Sequence, residues 1–147
     1  MTMLLALDPG KTTGWSIWSF EKEKPLKLID LGQTEGGVDG YLSQWWDKKT
    51  WCEVIVSEQF VLDGRTPNPD ITPLKIEGVL MAYVKQFGGK LVFQRNNFKK
   101  HVSNDMLKQH ELYHPGKQHA MDSIRHALAW GKVTHHMPTL QKYFMLN

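Results

Sequence analysis

Cysteine occurs once in the 147 residues, at Cys52, which excludes an internal disulfide framework and any zinc site built from several thiolates. Long apolar runs are also missing, and none approaches the length that spans a bilayer. The stretch Met3-Leu4-Leu5-Ala6-Leu7 is broken by Asp8 before a signal-peptide core forms, so an intracellular, cytoplasmic protein with no membrane partner is expected. Neither sign of charge dominates: 18 Lys and Arg stand against 15 Asp and Glu, a formal net charge of +3. That balance is compatible with a polyanionic partner without demonstrating one. No internal repeat or low-complexity linker divides the chain, which reads as one domain over residues 1–147, long enough to bury a core.

What is present is an alternation of strand and helix patterns. Residues 3–8 read as a buried strand, and Pro9-Gly10 turns it into a second, Trp15 to Phe20, whose large apolar and small polar residues alternate as in a half-buried strand. Leu26 to Leu31 offers a third. Tyr41, Leu42, Trp45 and Trp46 recur at helical spacing within residues 38–49, and the β-branched run Val54-Ile55-Val56 then forms a buried strand that delivers Glu58 to its end. Cys52, just before that run, is expected to be a buried structural thiol. A polar, proline-rich loop at 63–70 leads to Thr72-Pro73, an N-cap followed by proline at the first helical position. Ile76, Val79, Leu80, Tyr83, Val84 and Phe87 give the helix that follows an apolar face, and Gly88-Gly89 ends it. Leu91-Val92-Phe93 is a fifth strand. Beyond it lie a weaker helix over 104–112, a break at Pro115-Gly116, and a helix from Lys117 to Trp130 ending at Gly131. The order predicts an α/β protein, a five-stranded mixed sheet flanked by helices.

Three carboxylates stand on these elements rather than in loops: Asp8 on the first strand, Glu58 after the fourth, and Asp122 on the last helix. His119, three residues before Asp122, shares its face, and His126, four residues after, lies near it. Singly, each has an ordinary explanation as a turn residue, a capping acid, an ion-pair partner of Arg125 or His126, or a surface histidine. Together, three oxygen-bearing ligands and an imidazole converging on one spot would hold divalent cations, and hard oxygen donors favour Mg²⁺ or Mn²⁺.

The same residues carry a resemblance. Leu5-Ala6-Leu7-Asp8-Pro9-Gly10 with Thr13-Gly14-Trp15 resembles the first-strand motif of RuvC-type Holliday junction resolvases, members of the RNase H-like superfamily. Ser57-Glu58-Gln59-Phe60 is similar to their second acidic motif, and His119-Ala120-Met121-Asp122-Ser123 resembles their C-terminal helix. Lys99-Lys100 lies where the family carries a basic pair after its fifth strand. The likeness covers nearly the whole chain, with two departures: His119 stands where many members have an acid, and the chain is short, as in a compact, phage-type variant acting in a bacterial or phage-infected cell.

The resemblance implies an RNase H-like fold and a metal-dependent endodeoxyribonuclease that cleaves branched DNA, above all four-way junctions. It also implies two Mg²⁺ ions, with Mn²⁺ as the alternative: Asp8 bridging both, Glu58 serving one, His119 and Asp122 the other. Arg65, Lys99, Lys100, Lys117 and Arg125 are the candidate DNA-phosphate contacts. Two opposed nicks imply a homodimer, for which the helix over 73–87 with Met81, Tyr83 and Phe87 is an interface candidate, core packing being the other role of that face. Trp45, Trp46 and Trp51 are read as core or interface aromatics ahead of base-stacking platforms.

Four rivals remain at this point, the weakest a zinc site through His110, His114 and His119, whose spacing lacks a motif and supporting thiols. Asp8-Pro9-Gly10-Lys11-Thr12 also fits the phosphate-binding turn of actin-like ATPases, which need a second domain that 147 residues do not accommodate. A junction binder without catalysis would need the basic surface but not the acids. A related nuclease acting on flaps or RNA·DNA hybrids would share the metal site and differ in loops.

Overall fold

The computed structural model describes residues 2–45 and 52–145. In chain order they form β1 (Thr2–Asp8), β2 (Thr12–Glu21), β3 (Lys24–Glu35), α1 (Gly37–Trp45), β4 (Val54–Glu58), α2 (Thr72–Phe87) and β5 (Lys90–Gln94). A 3-10 turn (Asn96–His101), α3 (Asn104–Gln109), α4 (Gln118–Val133) and a short α5 (Met137–Thr139) running into a π-helical turn (Leu140–Phe144) complete the described chain. The five strands make one mixed sheet in the order β3-β2-β1-β4-β5, the architecture the sequence predicts. The hairpin strands β1, β2 and β3 pair antiparallel, while β4 and β5 run parallel to β1.

β1 is an unbroken apolar run because both of its faces are covered. Leu4 and Ala6 enter a core layer shared with Ile124, Ala127 and Leu128 of α4, and Leu5 and Leu7 enter the opposite layer with Ile76 and Leu80 of α2. Cys52 is buried in that second layer, where desolvation followed by the neighbouring Glu53 charge pushes its thiol up to about 12. No described helix is long and apolar enough to cross a membrane.

Several local readings change. β2 is buried on both faces over Thr13 to Ser19, not on one, because α4 crosses the face that carries Ser16. Ser16 Oγ accepts hydrogen bonds from Trp18 Nε1 at 2.8 Å and Ser123 Oγ at 3.0 Å, so this small polar residue marks a close helix crossing, not solvent. Thr72 is the first residue of α2, not its cap; Asp70 Oδ1 instead accepts from Thr72 N at 3.1 Å and Thr72 Oγ1 at 2.7 Å. α4 continues past Gly131 to Val133, and this glycine is a contact position, since a Cβ there would lie 2.7 Å from Thr139 Cγ2. α3 is shorter than expected, and Glu111 follows it with φ at 59°, a left-handed turn that ends helical continuation. Residues 46–51 and the Trp45 side chain lie outside the described residues, and with them the readings of Trp45, Trp46 and Trp51 and of the end of the first helix.

Candidate active site

The site begins with register. Leu7 of β1 pairs with Ser57 of the parallel β4, so the next residue on each strand, Asp8 and Glu58, leaves the sheet at the same end. On the other side of β1, Asp8 pairs with Gly14 of β2. A Cβ on Gly14 would come within 1.9 Å of the His119 carbonyl oxygen, so glycine is what lets the start of α4 reach the sheet. Lys117, at the cap position of α4, provides no side-chain acceptor. Gln33 of β3 supplies one: its Oε1 accepts from His119 N at 3.0 Å and Ala120 N at 3.2 Å, satisfying first-turn amides that would otherwise lack partners.

Asp8, Glu58, His119 and Asp122 are thereby brought to one end of the sheet, in two hydrogen-bonded groups. In the first, His119 Nδ1 lies 3.0 Å from Asp8 Oδ2. In the second, Lys99 Nζ stands between Glu58 Oε1 at 3.1 Å and Asp122 Oδ2 at 3.3 Å. Gln118 Nε2 and Arg125 Nη1 also donate to Asp122 Oδ1, at 3.2 and 2.9 Å. Among the described residues, no three His, Cys, Asp or Glu side chains close tightly enough to ligate one ion as they stand. The single convergence point expected from sequence is thus replaced by two linked pairings, with an ammonium inside the second.

The electrostatics reflect this. Asp8 is buried, and its carboxyl is raised to about 6, first by desolvation and then by the charges of Glu58 and Asp122, against the hydrogen bond from His119. For Glu58, burial acts upward, but the hydrogen bond from His126 and the Lys99 ammonium outweigh it and hold the carboxyl below its usual range. Lys99 loses solvation on partial burial, yet Glu58 and Asp122 raise it above the ordinary lysine value.

The basic residues divide. Lys99 is part of the acidic cluster. Arg65, Lys100 and Lys117 are exposed, Arg65 in the loop between β4 and α2. Arg125 is turned inward instead of toward solvent: it is buried and bonds Asp122, the Val102 carbonyl at 3.1 Å, and Asn104. Its fork orients Asp122 from behind.

Two residues went unassigned in the sequence. His126, fully buried, places Nε2 3.0 Å from Glu58 Oε1 and Nδ1 2.7 Å from the Gln94 amide. Its spacing from Asp122 was the only signal, and the partner it finds is Glu58. Arg95 lines a cleft of about 630 Å³ that opens beside Glu58 with Gln59, Phe60, Asn96 and Lys99. A larger cleft of about 790 Å³, by Lys22, His135 and Lys142, lies at the far end of β2 and contains a single acid, Glu23. The donor chemistry is therefore concentrated at the β1 and β4 ends.

The five-stranded mixed sheet flanked by helices is an RNase H-like fold. Within that class the fold is that of the RuvC-like Holliday junction resolvases. The structure of T. thermophilus RuvC in complex with Holliday junction substrate matches at a TM-score of 0.64 and 11% identity, covering 94% of this chain and 98% of that one. The fowlpox virus Holliday junction resolvase matches at 0.58 and 12%, covering 90% and 99%. The yeast mitochondrial Holliday junction resolvase Ydc2 matches at 0.56 and 13%, covering 98% and 85%. No protein-family model and no curated protein matches the sequence. At such identities the likeness establishes the fold.

Proposed function

We propose that residues 1–147 act as a single nuclease domain, a divalent-metal-dependent, structure-selective endodeoxyribonuclease that resolves four-way DNA junctions as a homodimer. The observation that carries this reading is the gathering of Asp8, Glu58 and Asp122 from three different elements at one end of the sheet, with Glu58 and Asp122 already holding a cation, the Lys99 ammonium, between them. The names of the structural neighbours, junction resolvases from a bacterium, a virus and a mitochondrion, support the choice of substrate.

The donor set fits hard cations in its chemistry. It offers three carboxylates and one imidazole, and it already accommodates positive charge between Glu58 and Asp122. Asp8, Glu58, His119 and Asp122 would hold two Mg²⁺ ions, or Mn²⁺ in their place. When bound, such ions supply an activated water and charge stabilisation at the leaving oxygen of a phosphodiester. The chain's own residues do the rest. His119 holds Asp8 Oδ2 through Nδ1. Arg125 and Gln118 fix Asp122. Lys99, once its carboxylate partners take other cations, is placed to meet a phosphate oxygen, while exposed Arg65, Lys100 and Lys117 contact the backbone further out. Two-fold pairing of copies would supply opposed nicks, and the exposed Met81 and Phe87 on α2 are the candidate contact, checked by sedimentation of the free protein.

The deciding experiment incubates the protein with synthetic four-way, three-way, flap and linear duplex DNA, with and without Mg²⁺. Paired symmetric nicks confined to the four-way junction are expected. Asp8→Asn is expected to abolish cutting while leaving junction binding measurable, and Mg²⁺-dependent cutting by that variant would sink the assignment. The Lys99 bridge favours one second reading, a junction binder whose acids are neutralised internally. Binding without cleavage under any divalent metal would establish it. Cleavage spread across all branched forms would indicate a general debranching nuclease.

A further inference from the structure

We infer that His126 is a positioning residue for Glu58, holding one carboxylate oxygen through an Nε2–H whose protonation site is imposed by Gln94. For its meaning toward a bound cation this rests on the nuclease reading above; as a statement about the imidazole it does not.

The argument starts at Gln94, the last residue of β5, which is buried with only 2% of its surface exposed. The orientation of its amide is assigned from what surrounds it. The His126 carbonyl oxygen, an acceptor, lies 3.2 Å from one end and the Trp130 backbone N–H, a donor, lies 3.3 Å from the other. The amide nitrogen must face the carbonyl and the amide oxygen the N–H; the reverse would set oxygen against oxygen in a dry interior. That nitrogen is also 2.7 Å from His126 Nδ1, which must then accept. A neutral imidazole accepting at Nδ1 carries its single proton on Nε2. Nε2 is the atom 3.0 Å from Glu58 Oε1.

A buried histidine that merely satisfied the core would direct its proton to a core carbonyl. His126 directs it to the one strand-end carboxylate that also meets Lys99, and it does so from below, at 0% exposure, where no solvent competes. Both donors engage Oε1, and neither engages Oε2, the oxygen available to a cation. The chain of Gln94, His126 and Glu58 thus ties the end of β5 and the middle of α4 to the end of β4, and fixes the rotation of the Glu58 carboxylate. In metal sites, partners that orient a ligand in this way commonly contribute 10–100-fold in affinity.

The test uses the full chain. In the metal-free, DNA-free protein, long-range ¹⁵N–¹H correlation should show the His126 proton on Nε2 and a bare Nδ1; a proton on Nδ1, or on both nitrogens, would overturn the inference. Mn²⁺ titration followed by electron paramagnetic resonance should then find binding weakened about 10–100-fold in His126→Leu. It should recover to within a few-fold of the wild type in His126→Gln, whose amide can donate from the Nε2 position. Wild-type Mn²⁺ affinity in His126→Leu would count against the role. Should that variant fail to fold, Gln94→Glu replaces it: a carboxylate facing Nδ1 should place a proton there as well, and an Nδ1 that stays bare would refute the control of the protonation site by residue 94. If the wild-type protein bound no Mn²⁺ at all, the nuclease reading would fall, and the protonation site of His126 would still decide this inference.

Discussion

Asp8 is a charge placed where charge is costly. Burial and the neighbouring Glu58 and Asp122 raise it to about 6 from an ordinary 3.8, so its anion destabilises the metal-free fold. The sign follows from linkage: the cost is fully present above about pH 6 and vanishes as the pH falls toward 3.8, where the carboxyl is protonated in both folded and unfolded chains. In chelator, Asp8→Asn should therefore be more stable than the wild type at pH 7.5, by on the order of 2 kcal/mol, and the gap should close on acidification. Urea unfolding at several pH values measures it; a variant no more stable at pH 7.5 would show that Asp8 is fully compensated by His119. At this scale the sequence was informative wherever a residue sat at an element boundary, as Asp8, Glu58, His119 and Asp122 do. It was silent on Lys99 as a bridge between acids and on Arg125 as a buried brace, because a basic side chain looks the same in sequence whether its charge meets a phosphate or a carboxylate.

The elements explain how those residues meet. α4 reaches the sheet at Gly14 and has its first amides satisfied by Gln33, so β2 and β3, which contribute no acid to the cluster, set the position of His119 and Asp122. Gln33→Leu should cost about 1–2 kcal/mol, as for a lost helix cap, and should weaken divalent-metal binding as the start of α4 loosens. Chemical denaturation and Mn²⁺ titration of the same variant read both effects, and unchanged values in both would remove Gln33 from the account. Gly14→Ala should be harsher, since the helix must retreat to admit a methyl group 1.9 Å from a carbonyl oxygen. Strand and helix types were legible from periodicity, but their limits and faces were less so. Ser16 of β2 suggested solvent and in fact marks a helix crossing, and Gly131 suggested a helix end and in fact marks a close contact with Thr139. Small residues permit both situations, and only the neighbouring element decides between them.

The whole molecule is a sheet whose central strand, β1, is flanked by an antiparallel hairpin on one side and parallel strands on the other. The parallel arrangement places two acids at one end of the sheet, and a cation held by a cluster so arranged would link its binding to folding. At a hundredfold excess over its dissociation constant a bound cation stabilises by about 2.7 kcal/mol, so saturating Mg²⁺ should raise the melting temperature by roughly 5–10 °C. The shift should disappear in Asp8→Asn, and a melting temperature indifferent to Mg²⁺ and Mn²⁺ would contradict the metal-dependent reading. The sequence by itself determined the α/β class, the run of strands and helices, and the acids at their ends, because hydrophobic period and turn chemistry are local and survive in one dimension. Only the tertiary structure decided which strand lies beside β1, that Lys99 enters the acidic cluster, and that His126 reaches Glu58 across 68 residues of chain. Those contacts depend on register, burial and the packing of α4 across the sheet, which no local pattern encodes.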